Sequence, residues 1–96
     1  MQPPKNFEQV VKQKRYSTAT ATLLAGDDAQ GTQPDGRNTF LYRTPNGAYF
    51  EVSVFEKGQP KLFPLTREDA IALYQGPLSK HRVPYAQAFP PGVEDA

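Results

Sequence analysis

The chain has 96 residues, a formal net charge of +1, 11% aromatic residues and no cysteine. That length fits one domain with a modest core. The lack of cysteine excludes a disulfide framework, a cysteine-based zinc site and a cysteine nucleophile within these residues.

No apolar run approaches the ~20 residues that span a bilayer. The opening "MQPPKNFEQ" lacks the apolar stretch of a secretory signal. A cytoplasmic protein with no membrane association is the expectation. "QPP" and "PPGVEDA" bracket the chain. Residues 1–5 and 90–96 therefore read as flexible tails, and 6–89 as a single domain.

Asn6 can cap a short helix with Gln9 three residues on, as in a capping box. Phe7, Val10, Val11 and Lys14 follow at helical spacing. "RYSTATATLLA" then changes period, with Ala19, Ala21 and Leu23 alternating with Thr18, Thr20 and Thr22. That pattern predicts a strand from about Arg15 to Ala25. "GDDAQGTQPDGRN" is a long polar loop rich in turn formers. Its Asp27-Asp28 pair does not match a calcium-loop spacing.

"FLYRTPNGAYFEV" is the best-defined stretch. Pro45, Asn46 and Gly47 suit a three-residue hairpin loop with a glycine bulge. The pairing that follows is Thr44 with Ala48, Arg43 with Tyr49, Tyr42 with Phe50, Leu41 with Glu51 and Phe40 with Val52. Alternation then puts Phe40, Tyr42, Phe50, Val52 and Val54 on a core face. The outer face carries Leu41, Arg43, Tyr49, Glu51, Ser53 and Phe55.

"KLFPL" returns as a short strand, ended or placed at an edge by Pro64. Thr66 caps a helix with Glu68 and Asp69 in its first turn, and Gly76 and Pro77 stop it. Pro84 opens a last turn with Tyr85 and Phe89 on one side. The expected fold class is α+β: an antiparallel sheet of three to four strands, a short N-terminal helix and a capped C-terminal helix.

Three blocks resemble a family of small, mostly uncharacterised bacterial proteins often met on mobile elements. Lys14, Tyr16, Thr18, Thr20 and Ala21 fit K-x-Y-x-T-x-T-A. Leu41, Tyr42, Arg43, Thr44, Gly47 and Phe50 fit L-Y-[RK]-T-x-x-G-x-[YWF]-F. Pro64, Leu65, Thr66, Asp69 and Ala70 fit P-[LI]-[ST]-x-x-[ED]-A. The resemblance covers residues 14 to 74 and implies a small α+β domain with no known catalytic residues. After Phe50 the chain has a plain strand and tight turn, where relatives often carry a glycine-rich insertion.

His81, the single histidine, lies in the basic segment "SKHRVP" without an acidic neighbour in sequence. No metal set, cofactor loop or catalytic constellation is readable. The expectation is a non-enzymatic accessory protein that binds a protein partner, or itself, through the outer face at Leu41, Arg43, Tyr49, Glu51 and Phe55. Arg and Tyr are frequent interface anchors. The alternative is a β-sheet DNA-binding module, with Arg37, Arg43, Lys57, Lys61 and Arg67 on the phosphates and Tyr49 and Phe55 available for stacking.

Overall fold

The computed structural model describes residues 1–28 and 31–90. Its elements run β1 (Glu8–Val11), β2 (Lys14–Ser17), β3 (Thr22–Gly26), β4 (Arg37–Arg43), β5 (Tyr49–Phe55), β6 (Lys61–Leu65), α1 (Arg67–Gln75), β7 (Lys80–His81) and α2 (Tyr85–Ala88). β1 and β2 form a two-stranded sheet, and the other strands form a five-stranded sheet in the order β6-β5-β4-β3-β7. Every pairing is antiparallel. The α+β class holds, but the main sheet has five strands where three to four were expected.

The central hairpin has the expected register, with Arg43 opposite Tyr49, Tyr42 opposite Phe50, Leu41 opposite Glu51 and Phe40 opposite Val52. Thr44 N–H donates to Ala48 O at 2.8 Å, and Gly47 takes φ +88 in the turn. A side chain at Gly47 would be strained there, so the turn fixes which residues share a face.

The N-terminal helix is not formed; its residues make the β1–β2 hairpin. Val10 opposes Arg15 and Gln9 opposes Tyr16, across a turn in which Lys12 and Gln13 take φ 51 and 68. Both helix and strand patterns fit Phe7 and Val11, but a helical stripe would also bury Val10. Val10 is instead 59% exposed. The decisive residue is Tyr16, whose ring meets Phe50 edge-on at 5.5 Å. Only a chain that doubles back brings Tyr16 beside Phe7 and Val11.

The long strand expected from Arg15 to Ala25 is interrupted. Thr18 Oγ1 accepts from Phe7 N–H at 2.8 Å and donates to Phe7 O at 3.3 Å. Ala21 N–H then closes a turn onto Ser17 O at 3.1 Å. β3 starts afresh at Thr22 and carries a bulge, since Leu23 pairs with Tyr42 but Ala25 pairs with Leu41. The extra residue, Leu24, lets "LLA" serve both faces: Leu23 packs with Phe40 and Phe50, while Leu24 and Ala25 pack with Leu41.

The sheet is thus buried on both sides. Tyr16, Phe40, Tyr42, Phe50, Val52 and Leu62 form one cluster under the β1–β2 hairpin. The other joins Leu24, Ala25, Leu41 and Tyr49 to Ala70, Tyr74, Leu78, Ala88 and Phe89. Thr66 caps α1 as expected, its side chain accepting from Asp69 N–H at 3.1 Å. Tyr49 stacks on Phe89 at 5.2 Å, and its hydroxyl donates to Ala88 O at 3.2 Å.

The polar loop is stapled by Asp27, whose Oδ1 accepts from Thr39 N–H at 2.8 Å and from Asn38 Nδ2 at 3.0 Å. Asp28 accepts from Arg82 at 2.9 Å. Burial acts to raise the Asp28 pKa, but the hydrogen bond and charge of Arg82, with Lys80, outweigh it and the net displacement is downward. Of the N-terminal tail residues, Pro4 lies against the sheet, its carbonyl accepting from the Tyr42 hydroxyl at 3.2 Å. Burial pushes that hydroxyl up to about 12. The expected C-terminal tail lies outside the described residues from residue 91 onward.

Two outcomes test this packing. Gln13→Gly relieves a left-handed non-glycine residue and is expected to raise stability by about 0.5–1 kcal/mol in urea unfolding. A helix at that position would instead lose about 1 kcal/mol. Tyr49→Phe leaves Ala88 O without its buried donor and should cost about 1–2 kcal/mol by the same assay.

Candidate functional site

The expected outer face divides into a covered and an open half. Leu41 and Tyr49 are 0% and 6% exposed. They lie under Ala70, Tyr74 and Phe89 and cannot meet a partner directly. Arg43 is only partly exposed, its Nε buried without a partner among the described residues. The physical reason is that α1 and α2 pack on this parity, while the β1–β2 hairpin takes the Phe40–Phe50 parity. Sequence alternation separated the two faces without showing that both are core.

Glu51 and Phe55 lie on the open half, joined by residues from both flanking strands. β6 sets Phe63 opposite Glu51 and Lys61 opposite Ser53, and β4 sets Arg37 opposite Phe55. Thr39 and Ser53 form a buried floor. Phe63 is 47% exposed, a large apolar side chain left uncovered by the fold. Lys61 Nζ sits 5.7 Å from the Phe55 ring centroid, a cation–π contact. Arg37 Nε pairs with Asp35 at 3.0 Å. A depression of about 410 Å³ beside Phe55 is lined by Asp35, Gly36, Glu56 and Lys57.

Glu51 is partly buried between Leu41 and Phe63. Burial raises its pKa, and the Arg37 charge only partly offsets this. Phe63 was missed from sequence because the β6 register cannot be read there; "KLFPL" does not reveal which of Leu62 and Phe63 faces α1. Val52 opposite Leu62 settles it.

The five cations of the nucleic-acid alternative do not converge. Arg37 and Arg43 end opposite ends of β4, six residues apart or ~20 Å at strand rise. Lys61 joins Arg37, and Lys57 follows β5 at the same end. Arg67 instead sits on α1 and donates to Pro90 O at 3.1 Å.

The edge of β6 is blunted against strand addition. Odd-numbered β5 residues bond β6, because Thr44 and Ala48 bond directly and fix the alternation. Phe50 opposes Pro64, so the proline nitrogen points outward, where it offers no donor.

A cleft of about 880 Å³ lies elsewhere, against Tyr74, His81, Arg82 and Tyr85. His81 stacks on Tyr74 at 3.8 Å, and its Nε2 meets Tyr74 O at 2.8 Å. Because that carbonyl can only accept, Nε2 carries the proton and holds the β7 turn to α1. Among the described residues no group of three His, Cys, Asp or Glu side chains comes together, and no helix is long and apolar enough to cross a membrane. No family model, curated protein or solved structure matches the chain.

The raised Glu51 pKa has a definite sign. The folded state holds the proton more tightly than the unfolded chain. Its stabilising contribution is therefore present below the unfolded carboxylate value and lost as pH rises through the folded one. Glu51→Gln should accordingly raise the melting temperature at pH ~7, and the difference from wild type should shrink towards zero on acidification below pH ~4.

Proposed function

We propose that the chain is a non-enzymatic accessory module that binds a protein partner through the open half of the outer sheet face, with Glu51, Phe55, Lys61 and Phe63 as the contact set. This accords with the small bacterial and mobile-element proteins that its motif blocks resemble. The observation that carries the reading is Phe63, 47% exposed on the edge strand β6. Phe63 at one end and Phe55 at the other, with Lys61 between them and Glu51 and Arg37 beside them, make the mixed apolar and charged surface that protein interfaces use. The blunted β6 edge directs contact to side chains and away from backbone pairing.

The simplest partner is a second copy. Glu51 beside Phe63 at one end of the patch and Arg37 beside Phe55 at the other make it self-complementary about a two-fold axis that crosses the strands. Phe63→Asp is expected to convert a concentration-dependent dimer to a monomer in sedimentation analysis, with an unchanged melting curve. A wild type that stays monomeric at every concentration would remove self-association. If an immobilised Phe63→Asp chain then captures the same proteins as wild type, the patch is not the interface.

A further inference from the structure

We infer that the β1–β2 hairpin carries a second surface, which binds the phosphodiester backbone of a nucleic acid. It lies over the sheet face opposite Phe55 and Phe63 and does not depend on the function proposed for that patch. A groove of about 680 Å³ runs between β2 and the β4–β5 turn, lined in part by Lys14, Arg15, Ser17, Thr20, Thr44 and Asn46. A second groove, about 310 Å³, lies between the hairpin and Pro64 and is lined by Lys12 and again by Lys14. No carboxylate among the described residues lines either one.

The cations are available. Lys12 and Lys14 make no ion pair among the described residues, and both are exposed. Arg15 meets Glu8 at 3.4 Å, but both side chains are more than half exposed. Such a pair is worth little and yields readily to a stronger anion.

The hydroxyls are oriented for the same task. Ser17 Oγ accepts from Ala19 N–H at 3.2 Å, and Thr44 Oγ1 accepts from Ala48 N–H at 3.0 Å. Each oxygen is held by an accepted bond, which leaves its own proton free to donate outward. Lysine, arginine, short hydroxyls and an asparagine amide are the side chains that hold phosphate oxygens.

Charge is also sorted along the sheet. Asp27, Asp28, Asp35 and Glu56 lie at the far end of β4 and β5, interleaved with Arg37, Lys57, Lys61, Lys80 and Arg82, whereas the hairpin sets Lys12, Lys14 and Arg15 against Glu8 alone. Glu68 and Asp69 share the near end with the grooves but sit on the α1 side. An extended anion is therefore drawn to the hairpin side of one end. Tyr16, shared by both grooves, is only 8% exposed and offers little ring to stack a base. The contact is to backbone and independent of sequence.

The test is fluorescence anisotropy with a labelled mixed-sequence oligonucleotide. Three phosphate contacts predict affinity falling roughly 20- to 40-fold between about 50 and about 200 mM salt. The triple variant Lys12→Gln, Lys14→Gln, Arg15→Gln is expected to lose binding roughly tenfold or more. Lys14→Gln alone should show a smaller loss in the same direction. Lys57→Gln with Lys80→Gln, at the other end, should bind as wild type does. Melting curves confirm that each variant is folded. Absence of binding at about 50 mM salt overturns the inference, as does equal weakening by the two sets of substitutions. Displacement by polyglutamate as effective as by unlabelled oligonucleotide would assign the grooves to acidic polypeptide and overturn it too.

Discussion

The β4–β5 register is the constraint on which the rest of the molecule depends. Gly47 at φ +88 and the Thr44–Ala48 bond set that register at the turn. Every later pairing inherits it. A slip of one residue would put Glu51 and Ser53 on the face of Phe40 and Tyr42, and Phe50 and Val52 on the face of Thr39 and Leu41. It would turn Glu51 and Ser53 into one core and leave the other without Tyr49. The turn therefore does more than reverse the chain: it keeps two cores, on opposite faces, mutually consistent.

A sheet buried on both faces asks its neighbouring strand for apolar residues on both parities. β3 meets this by the Leu24 bulge, which breaks the alternation where the sheet needs Leu23 on one side and Leu24 with Ala25 on the other. β5 meets it only along part of its length. Tyr49 and Phe50 serve the two cores, but Glu51 and Ser53 then turn the α1 face polar ahead of Phe55. The open half begins where that pattern changes, so its position follows from the sequence of β5 rather than from a missing element.

The central hairpin was legible because its turn chemistry is local, and Thr66 was legible because a helix cap is local. The N-terminal hairpin was not. Asn6, Phe7, Val10 and Val11 satisfy a helical template, and the deciding contact, Tyr16 on Phe50, spans 34 positions between the paired residues. A choice made by tertiary packing leaves little trace in periodicity. The candidate site was half legible for the same reason. Parity correctly grouped Glu51 with Phe55 and with Leu41 and Tyr49. What covers one pair and spares the other depends on α1 and α2, and what joins the spared pair depends on the β6 register.

The ends of the sheet bear on how so short a chain exposes Phe63 without inviting aggregation. A five-stranded antiparallel sheet has two edges, each a template for another strand. Here β7 is two residues long, and β6 turns the nitrogen of Pro64 outward. With backbone pairing discouraged at both edges of this sheet, side chains are the other surface it can offer. Side chains can discriminate between partners, whereas an open backbone edge accepts almost any extended strand. The exposed Phe63 is tolerable because it stands on an edge strand that Pro64 has blunted. Apolar contact there can be specific without propagating from one sheet to the next.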